Sequence, residues 1–371
     1  MNLRAKGNRR QSNSYGHTNN AREHILEFSK PCVGAFRDSI SGTLALPWLM
    51  LPCVNLPTFS DVFAARRTLA GRVLRTPVLR SSILDALTGS ELHFKAESLQ
   101  VTGSYKVRGA TNKILSLSPG ELAAGLITVS AGNAALGAAW AAREAGAALT
   151  VVMPENAVPA KLAAVAAMGA RIDKDGITNA TLAFARLAAL REAHGYTLIH
   201  PFDDAKVIAG AGTATWELIE DAPPLDRLIV PTSGGGLLGG ALLAVQGLSP
   251  ATDVWGVQPE GAAGLVLSLE AGTPTAPEKI QTIADGLSAP KPGALNFEII
   301  RRDAKGAVVV SDDEILAAMG LLIEHLRVIV EPSAAVGLAA LLRYEHLRGG
   351  RIGLLLSGSN AAKERVVQAL G

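Results

Sequence analysis

A lysine set among small and hydroxyl residues is the first feature of this sequence that could do covalent chemistry. The stretch Thr102–Gly109 reads TGSYKVRG and places Lys106 close behind Ser104. A lysine held in a partly apolar pocket has its ammonium form disfavoured, and the neutral amine can form a Schiff base with a carbonyl. A solitary lysine is more often a solvated surface charge, so the spacing alone leaves both interpretations open.

A glycine-rich loop is the second candidate site, and it follows an apolar strand-like run and precedes an apolar helical one. The loop consists of Ser233, Gly234, Gly235, Gly236 and Leu237. Backbone N–H groups at such a helix start favour a phosphate. Read as Gly234–Gly239, the loop also fits the G-x-G-x-x-G pattern, with Glu260 downstream as a ribose-binding acid. A nicotinamide-dependent dehydrogenase and a tight turn without a ligand therefore stay open.

Two further polar segments also come directly after apolar runs. The first, SAGN, consists of Ser130, Ala131, Gly132 and Asn133. Its hydroxyl, amide and backbone N–H groups could hold a carboxylate or a phenolate, or could simply cap a helix. The second segment, Leu354–Asn360, places Ser357 at the end of an apolar strand. Turn chemistry accounts for that segment equally well.

Short β-branched runs alternate with Ala- and Leu-rich helical stretches from about residue 125 onward, which is the βαβ signature. The predicted elements of this unit are the strands Leu126–Ser130 and Leu149–Met153 and the helices Ala134–Glu144, Pro159–Met168 and Thr178–His194. A second unit contains the runs Arg227–Pro231 and Val254–Val257. The runs are continuously apolar, as strands covered on both faces are, and ligands bind at the carboxyl ends of such strands.

Composition excludes several classes of protein. The 371 residues are 48% hydrophobic and 18% charged, which is typical of a globular chain. A net charge of +2 predicts no nucleic-acid partner. The apolar stretch Leu44–Val54 is too short to span a membrane. Both cysteines, Cys32 and Cys53, precede the periodic pattern, so we expect no disulfide framework and a cytoplasmic location.

The leading segment predicts a separate part of the molecule. Residues 1–22 carry several Arg and Lys and no acidic residue, a composition shared by transit peptides and poorly ordered extensions. A third interpretation is that Met50 is the true initiator methionine. We predict a disordered N-terminal extension over 1–55, a large cofactor-binding domain over 56–124 and 203–371, and a small domain over 125–202.

The four chemical segments, in this order, resemble the fold type II pyridoxal-phosphate family, in its threonine/serine dehydratase and serine racemase branch. The resemblance runs from Phe59 to the C-terminus and includes the stretches Pro201–Thr213 (PFDDAKVIAGAGT), Gly256–Glu260 (GVQPE), Thr282–Gly286 (TIADG) and Val330–Ala340 (VEPSAAVGLAA). It implies an α/β fold of two doubly wound open parallel-sheet domains, tryptophan synthase beta-like, with pyridoxal 5'-phosphate in the cleft between them. It also implies a homodimer or homotetramer.

The resemblance assigns a role to each candidate residue. Lys106 would bind the cofactor covalently and act as the catalytic base, while the loop Ser233–Leu237 would hold the phosphate. Asn133 would bond the phenolic oxygen and Ser357 would face the ring nitrogen. The substrate would be bound by Ser104, Ser130, Ala131 and Gly132. No hydride-transfer enzyme needs the lysine motif, so the dehydrogenase becomes the weaker alternative.

The expected reaction is β-elimination from a β-hydroxy amino acid, L-threonine or L-serine, which releases a 2-oxo acid and ammonia. A neutral hydroxyl at Ser357 would not stabilise a protonated ring nitrogen, so prompt loss of the β-hydroxyl is favoured. Ala131 stands where the racemase branch has a second hydroxyl base, and an alanine moves no proton. Dehydration is therefore preferred to racemisation, with serine racemase as the alternative.

Other departures from the family pattern leave further alternatives. Ala134 and Leu136 replace a frequent His and Gln, so a bulkier substrate such as phenylserine stays open. Gln258 and Gly264 stand at positions of carboxylates that bind a divalent cation, so we expect no metal site. A non-catalytic binding module is the third class, and it would bind the cofactor without releasing a 2-oxo acid.

Overall fold

A computed structural model describes residues 56–371, apart from Asn156 and Val158, together with the short strand Leu26–Glu27. The rest of the predicted extension 1–55 lies outside the described residues, as do Cys32, Cys53 and Met50. Within the described part of the chain, no helix is both long and apolar enough to cross a membrane.

Strands and helices alternate along most of the described chain. In chain order the strands are β1 Leu26–Glu27, β2 Val78–Leu79, β3 Glu91–Lys95, β4 Leu126–Val129, β5 Leu149–Val152, β6 Arg171–Asp173, β7 Thr197–Leu198, β8 Arg227–Pro231, β9 Asp253–Pro259, β10 Gly306–Val310 and β11 Arg351–Leu355. The helices are α1 Phe59–Leu69, α2 Ser82–Thr88, α3 Lys106–Ile114, α4 Pro119–Ala123, α5 Asn133–Glu144, α6 Pro159–Ala167, α7 Ala180–His194, α8 Ala205–Asp221, α9 Gly236–Leu248, α10 Gly264–Ala271, α11 Ala294–Asp303, α12 Asp312–Leu326, α13 Pro332–Arg343 and α14 Lys363–Ala369.

The larger sheet has the strand order β1-β10-β9-β8-β11-β3-β2. Its five central strands are parallel, whereas the short edge strands β1 and β2 pair antiparallel with their neighbours. Helices cover both faces, and the two apolar clusters of this sheet include Phe94 on one face and Leu228 on the other. The predicted α/β class is confirmed, and the antiparallel edges are a feature that the sequence did not predict.

The smaller sheet has the order β6-β5-β4-β7 and is parallel throughout. Strands β4 and β5 end one residue before the predicted runs end, whereas the short strands β6 and β7 were not predicted from the sequence. Helix α7 starts at Ala180 rather than Thr178, because the Asn179 side chain accepts from Leu182 N and caps it there. All four strands fall inside 125–202, and the predicted domain boundaries themselves stay a prediction.

Three helices approach one another at glycines, and this packing places the candidate segments. A Cβ added to Gly212 on α8 would lie 2.6 Å from the Gly240 carbonyl oxygen on α9. On α3, a Cβ at Gly109 would lie 2.7 Å from the Val207 carbonyl oxygen. Helix α8 therefore contacts the backbones of both α3, which begins at Lys106, and α9, which begins in the glycine loop.

We predict that Gly240→Ala destabilises the protein. A Cβ at Gly240 would lie 2.5 Å from the Gly212 backbone nitrogen, and neither helix backbone can move aside cheaply. The expected loss is about 1–3 kcal/mol in the free energy of unfolding, measured by urea denaturation. Gly120→Ala on α4 is the matched control, because a Cβ there meets nothing within 4 Å; an equal loss in both variants would contradict the packing argument.

Candidate active site

Lys106 is the first residue of α3 and lies where three of the predicted segments meet. Its Nζ donates to the Pro201 carbonyl oxygen at 2.9 Å. A Cβ added to Gly137 on α5 would lie 2.9 Å from the Lys106 carbonyl carbon, so α5 packs against the lysine backbone. On the other side, Tyr105 N donates to the Ser357 carbonyl oxygen at 3.1 Å. The SAGN helix and the end of β11 therefore flank the lysine.

A small, largely apolar pocket lies beside the Lys106 side chain. Its lining comprises Lys106, Ala110, Thr128, Ala134, Ile199, His200, Pro201 and Val207. In His200, Nδ1 accepts from Asp203 N at 2.8 Å, which assigns the ring proton to Nε2. Burial lowers the pKa of His200, and the nearby Lys106 acts in the same direction against Asp203. The imidazole is therefore neutral at physiological pH.

The glycine loop turns sharply between β8 and α9. Gly235 has a φ of 94°, a conformation that favours glycine, and a Cβ there would lie 2.7 Å from the Asn296 Cβ. Ser233 Oγ accepts from Ala289 N at 2.9 Å, so its hydroxyl is part of the loop framework. The first N–H groups of α9 have no acceptor within the helix. Together these features form a cradle for an anion such as a phosphate.

The segment Pro201–Asp203 joins the glycine loop to the lysine. Asn296 Nδ2 donates to the Phe202 carbonyl oxygen at 2.9 Å and to the Gly234 carbonyl oxygen at 3.1 Å. Asp203 accepts from Ala294 N at 2.9 Å and so holds the start of α11. Because Pro201 also accepts from Lys106, one short segment sets the position of both the amine and the phosphate cradle.

The SAGN segment forms the start of α5. Ser130 Oγ accepts from Gly132 N at 3.1 Å, which leaves the Ser130 O–H free to donate. The first N–H groups of α5 have no acceptor within the helix, so the segment offers donors to a carboxylate. Ala131 is half-buried and packs against the apolar core of the smaller sheet.

Two residues without an assigned role in the sequence lie against Asn133. Its Nδ2 donates to Glu331 Oε1 at 2.7 Å, and its Oδ1 accepts from Asn360 Nδ2 at 2.8 Å. Glu331 is only 3% exposed. A charged residue inside the otherwise apolar run Val330–Ala340 was the signal that could have singled it out.

These residues fit pyridoxal phosphate. Lys106 supplies the amine that would bind the cofactor, the loop that starts at Gly234 supplies the phosphate cradle, and Asn133 supplies an amide. Ser104 Oγ is buried without a hydrogen-bond partner, as expected of a group that meets a ligand. When bound there, the cofactor would supply an electron sink for a substrate carbanion.

The comparisons with known proteins agree with this site. The chain belongs to the pyridoxal-phosphate dependent enzymes, since the profile of that family matches residues 69–358. Within the family it is similar to L-threonine ammonia-lyase of Thermotoga maritima, with 38% identity over 82% of this chain and 75% of the relative. It is 39% identical to L-threo-3-hydroxyaspartate ammonia-lyase of Saccharomyces cerevisiae, over 84% of this chain and 95% of that one.

A solved structure supports the same branch. Serine racemase from Dictyostelium discoideum is 38% identical, covers 82% of this chain and 99% of its own, and superposes with a TM-score of 0.76. The chain is therefore a pyridoxal-phosphate enzyme of the hydroxy-amino-acid dehydratase and racemase group, with the predicted fold type II architecture. The resemblance stated from the sequence and the predicted cofactor are confirmed.

Two residues that the sequence analysis discussed, one as a ribose-binding acid and one in place of a metal-binding carboxylate, make contacts within the protein. Glu260, the supposed ribose-binding acid, forms an ion pair with Arg343 at 2.7 Å. Gln258 Oε1 accepts from Leu265 N at 2.8 Å at the start of α10. Among the described residues no group of three or more His, Cys, Asp or Glu side chains could hold a metal. The roles assigned to individual site residues stay predictions.

Gly235→Asp should weaken cofactor binding by at least about tenfold, because the side chain blocks the close approach and places a negative charge beside the phosphate. Cofactor retention is measured by absorbance after dialysis. Gly272→Asp is the matched control, since Gly272 also has a positive φ, 71°, but a Cβ there meets nothing within 4 Å. Equal retention in both variants would count against the loop as the phosphate site.

Proposed function

We propose that this enzyme eliminates the β-hydroxyl of L-threonine or L-serine and releases a 2-oxo acid and ammonia. The observation that carries the proposal is the pairing of the Lys106 amine with Ala131, which has no group able to move a proton. The similarity to L-threonine ammonia-lyase supports the same reaction. In the elimination the Cα–H and Cβ–O bonds break, a Cα–Cβ double bond forms, and the hydroxyl takes up a proton and leaves as water. The released enamine tautomerises to an imine, and one water then hydrolyses its C–N bond to give the 2-oxo acid and ammonia.

Lys106 has two tasks in this proposal. Its amine would hold the cofactor, and with the substrate bound the same amine would accept the Cα proton as general base. The Pro201 carbonyl, 2.9 Å from Nζ, orients that amine. Substrate carboxylate binding falls to the SAGN segment, where the Ser130 hydroxyl and the first N–H groups of α5 are available.

The pocket lining favours a substrate with a single carboxylate. Besides Lys106, the only basic side chain among the described residues that line this pocket is His200, and burial keeps that imidazole neutral by lowering its pKa. A second substrate carboxylate, as in 3-hydroxyaspartate, would find no arginine in this lining. A bulkier apolar side chain is the better-supported alternative, because Ala134 leaves the wall small and apolar. Serine racemase remains the other alternative.

We also propose a homodimer or homotetramer in the cytoplasm. The resemblance to the family supports the oligomer, and exposed apolar side chains such as Ile83 and Leu87 on α2 are suited to a subunit contact. The absence of cysteine from residues 56–371 fits a reducing compartment. Amino acids are the proposed partners, with no role for nucleic acid or membranes.

Release of 2-oxo acid from a panel of substrates tests the proposed reaction. We expect kcat/KM to be highest for L-threonine or L-serine, and at least about tenfold lower for L-threo-3-hydroxyaspartate, whose second carboxylate would be desolvated without a partner. Lys106→Ala should abolish release, since it removes both the anchor and the base. Preference for hydroxyaspartate would overturn the substrate assignment. A few per cent of residual activity in the variant would overturn the role of Lys106.

Ala131→Ser should introduce measurable conversion of L-serine to D-serine. Reprotonation of Cα from the face opposite Lys106 needs a group within about 3 Å that can give up a proton. Elimination should fall only modestly, since Lys106 is unchanged. Chiral chromatography of the serine pool measures the result, with Ala134→Ser as the control for a hydroxyl placed elsewhere in the pocket. The idea fails if the wild type already racemises serine as fast as it deaminates it.

A further inference from the structure

A buried carboxylate stands directly behind the amide that is predicted to meet the cofactor. Glu331 precedes α13, and its backbone N donates to the Gly358 carbonyl oxygen at 3.0 Å, next to Ser357. Its Oε1 accepts from Asn133 Nδ2 at 2.7 Å. Because the side chain is 3% exposed, water does not screen its charge.

Hydrogen bonds on the far side of Asn133 fix the direction of its amide. Asn360 Nδ2 donates to the Thr102 carbonyl oxygen at 2.9 Å, and a carbonyl can only accept. The second N–H of Asn360 donates to Asn133 Oδ1 at 2.8 Å. The Asn133 amide group therefore has to face Glu331, which takes one of its two hydrogens. One N–H of Asn133 is left for a ligand.

We propose that Glu331 is a positioning residue for the bound cofactor and acts through Asn133. It determines which way the remaining N–H of Asn133 points, and its charge sets the electrostatic potential at the cofactor oxygen that this N–H would bond. The inference depends on the proposed role of Asn133 and on no choice of substrate.

The groups around Glu331 bring the pKa of its carboxyl group close to neutral pH. Burial and, to a smaller extent, the negative charge of Asp285 raise its pKa to about 7, against the opposing effects of the hydrogen bond from Asn133 and the charge of Lys161. Asp285 and Lys161 form an ion pair with each other. The remaining polar neighbours that face the carboxylate are uncharged, among them the Ser333 hydroxyl and the Asn360 backbone.

The two protonation states of Glu331 act differently on the cofactor. Above pH 7 the carboxylate binds the Asn133 amide by a charge-assisted hydrogen bond and disfavours a second negative charge nearby. Below pH 7 the neutral acid still accepts from Asn133 but contributes no charge. The absorption spectrum of the bound cofactor should therefore change with a midpoint near pH 7, without any substrate present.

Glu331→Gln separates the charge from the hydrogen bond. The glutamine oxygen can still accept from Asn133, but the side chain does not ionise over the range of the titration, from about pH 5.5 to about pH 8.5. The transition near pH 7 should disappear from the absorption titration, together with the infrared band of a protonated carboxylic acid at low pH. Glu298→Gln, the same change on the surface of α11, is the matched control and should leave both signals unchanged.

Two charge variants test the same inference from opposite directions. Asp285→Asn removes a negative charge and should lower the midpoint, by on the order of one pH unit. Lys161→Met removes a positive charge and should raise the midpoint by a similar amount. A merely structural role would not give opposite shifts, since both variants break the same ion pair.

If Glu331→Gln fails to fold, the variants Asp285→Asn and Lys161→Met still test the inference. A midpoint unchanged by Glu331→Gln, or shifts of the same sign in Asp285→Asn and Lys161→Met, would overturn the inference. Failure of the inference differs from failure of the proposed function. An enzyme that releases 2-oxo acid without a spectral transition contradicts only the role of Glu331, whereas one that shows the transition but releases none contradicts the proposed reaction.

Discussion

The position of Lys106 depends on a buried ion network centred on Arg108, two residues further along α3. Arg108 is fully buried, and its guanidinium binds Glu97 at 2.7 Å and Glu217 at 2.8 Å. Burial is the largest single influence and would raise the pKa of Glu97, but the charge and hydrogen bonds of Arg108, the hydrogen bond from Thr76 and the charge of Lys95 together outweigh it, and the pKa is lowered. Removing one partner would leave a buried charge uncompensated, at a cost of about 3–5 kcal/mol. The network thus anchors α3, and with it Lys106, to α8 and to the turn that follows β3.

The candidate site residues come from segments attached to both sheets. Lys106 begins α3, which the Arg108 network holds, while Ser130 and Asn133 follow β4 of the smaller sheet. Helix α3 packs closely against α5, since Ala110 and Ile114 belong to the apolar core of the smaller sheet. Polar contacts add to this packing, among them the Asn133–Glu331 hydrogen bond and the Lys161–Asp285 ion pair.

The sequence predicted the parts of this molecule that local patterns determine. Apolar runs and glycines indicated the α/β class, the parallel strands and the loops after β4, β8 and β11, since strand burial and turn chemistry act over a few residues. Partners distant in sequence were not predictable. Asn133 and Glu331 are 198 positions apart, and Asn296 reaches Gly234 across 62. No local pattern specifies which buried acceptor a given amide finds, because packing of the whole fold decides it.

Proton transfer at the substrate Cα is concentrated on one side chain by the way its neighbours are bonded. Nδ1 of His200 accepts from the backbone N of Asp203, so at neutral pH the ring offers only its Nε2 proton and no free lone pair. Ser130 Oγ already accepts from Gly132, and its hydroxyl is a donor to a carboxylate rather than a base. Among the residues that the structure describes, the Lys106 amine has one backbone acceptor and no carboxylate partner within salt-bridge distance. A site with one such base and donors elsewhere would remove a proton from one face of a substrate, and this asymmetry is the physical basis for proposing elimination rather than inversion.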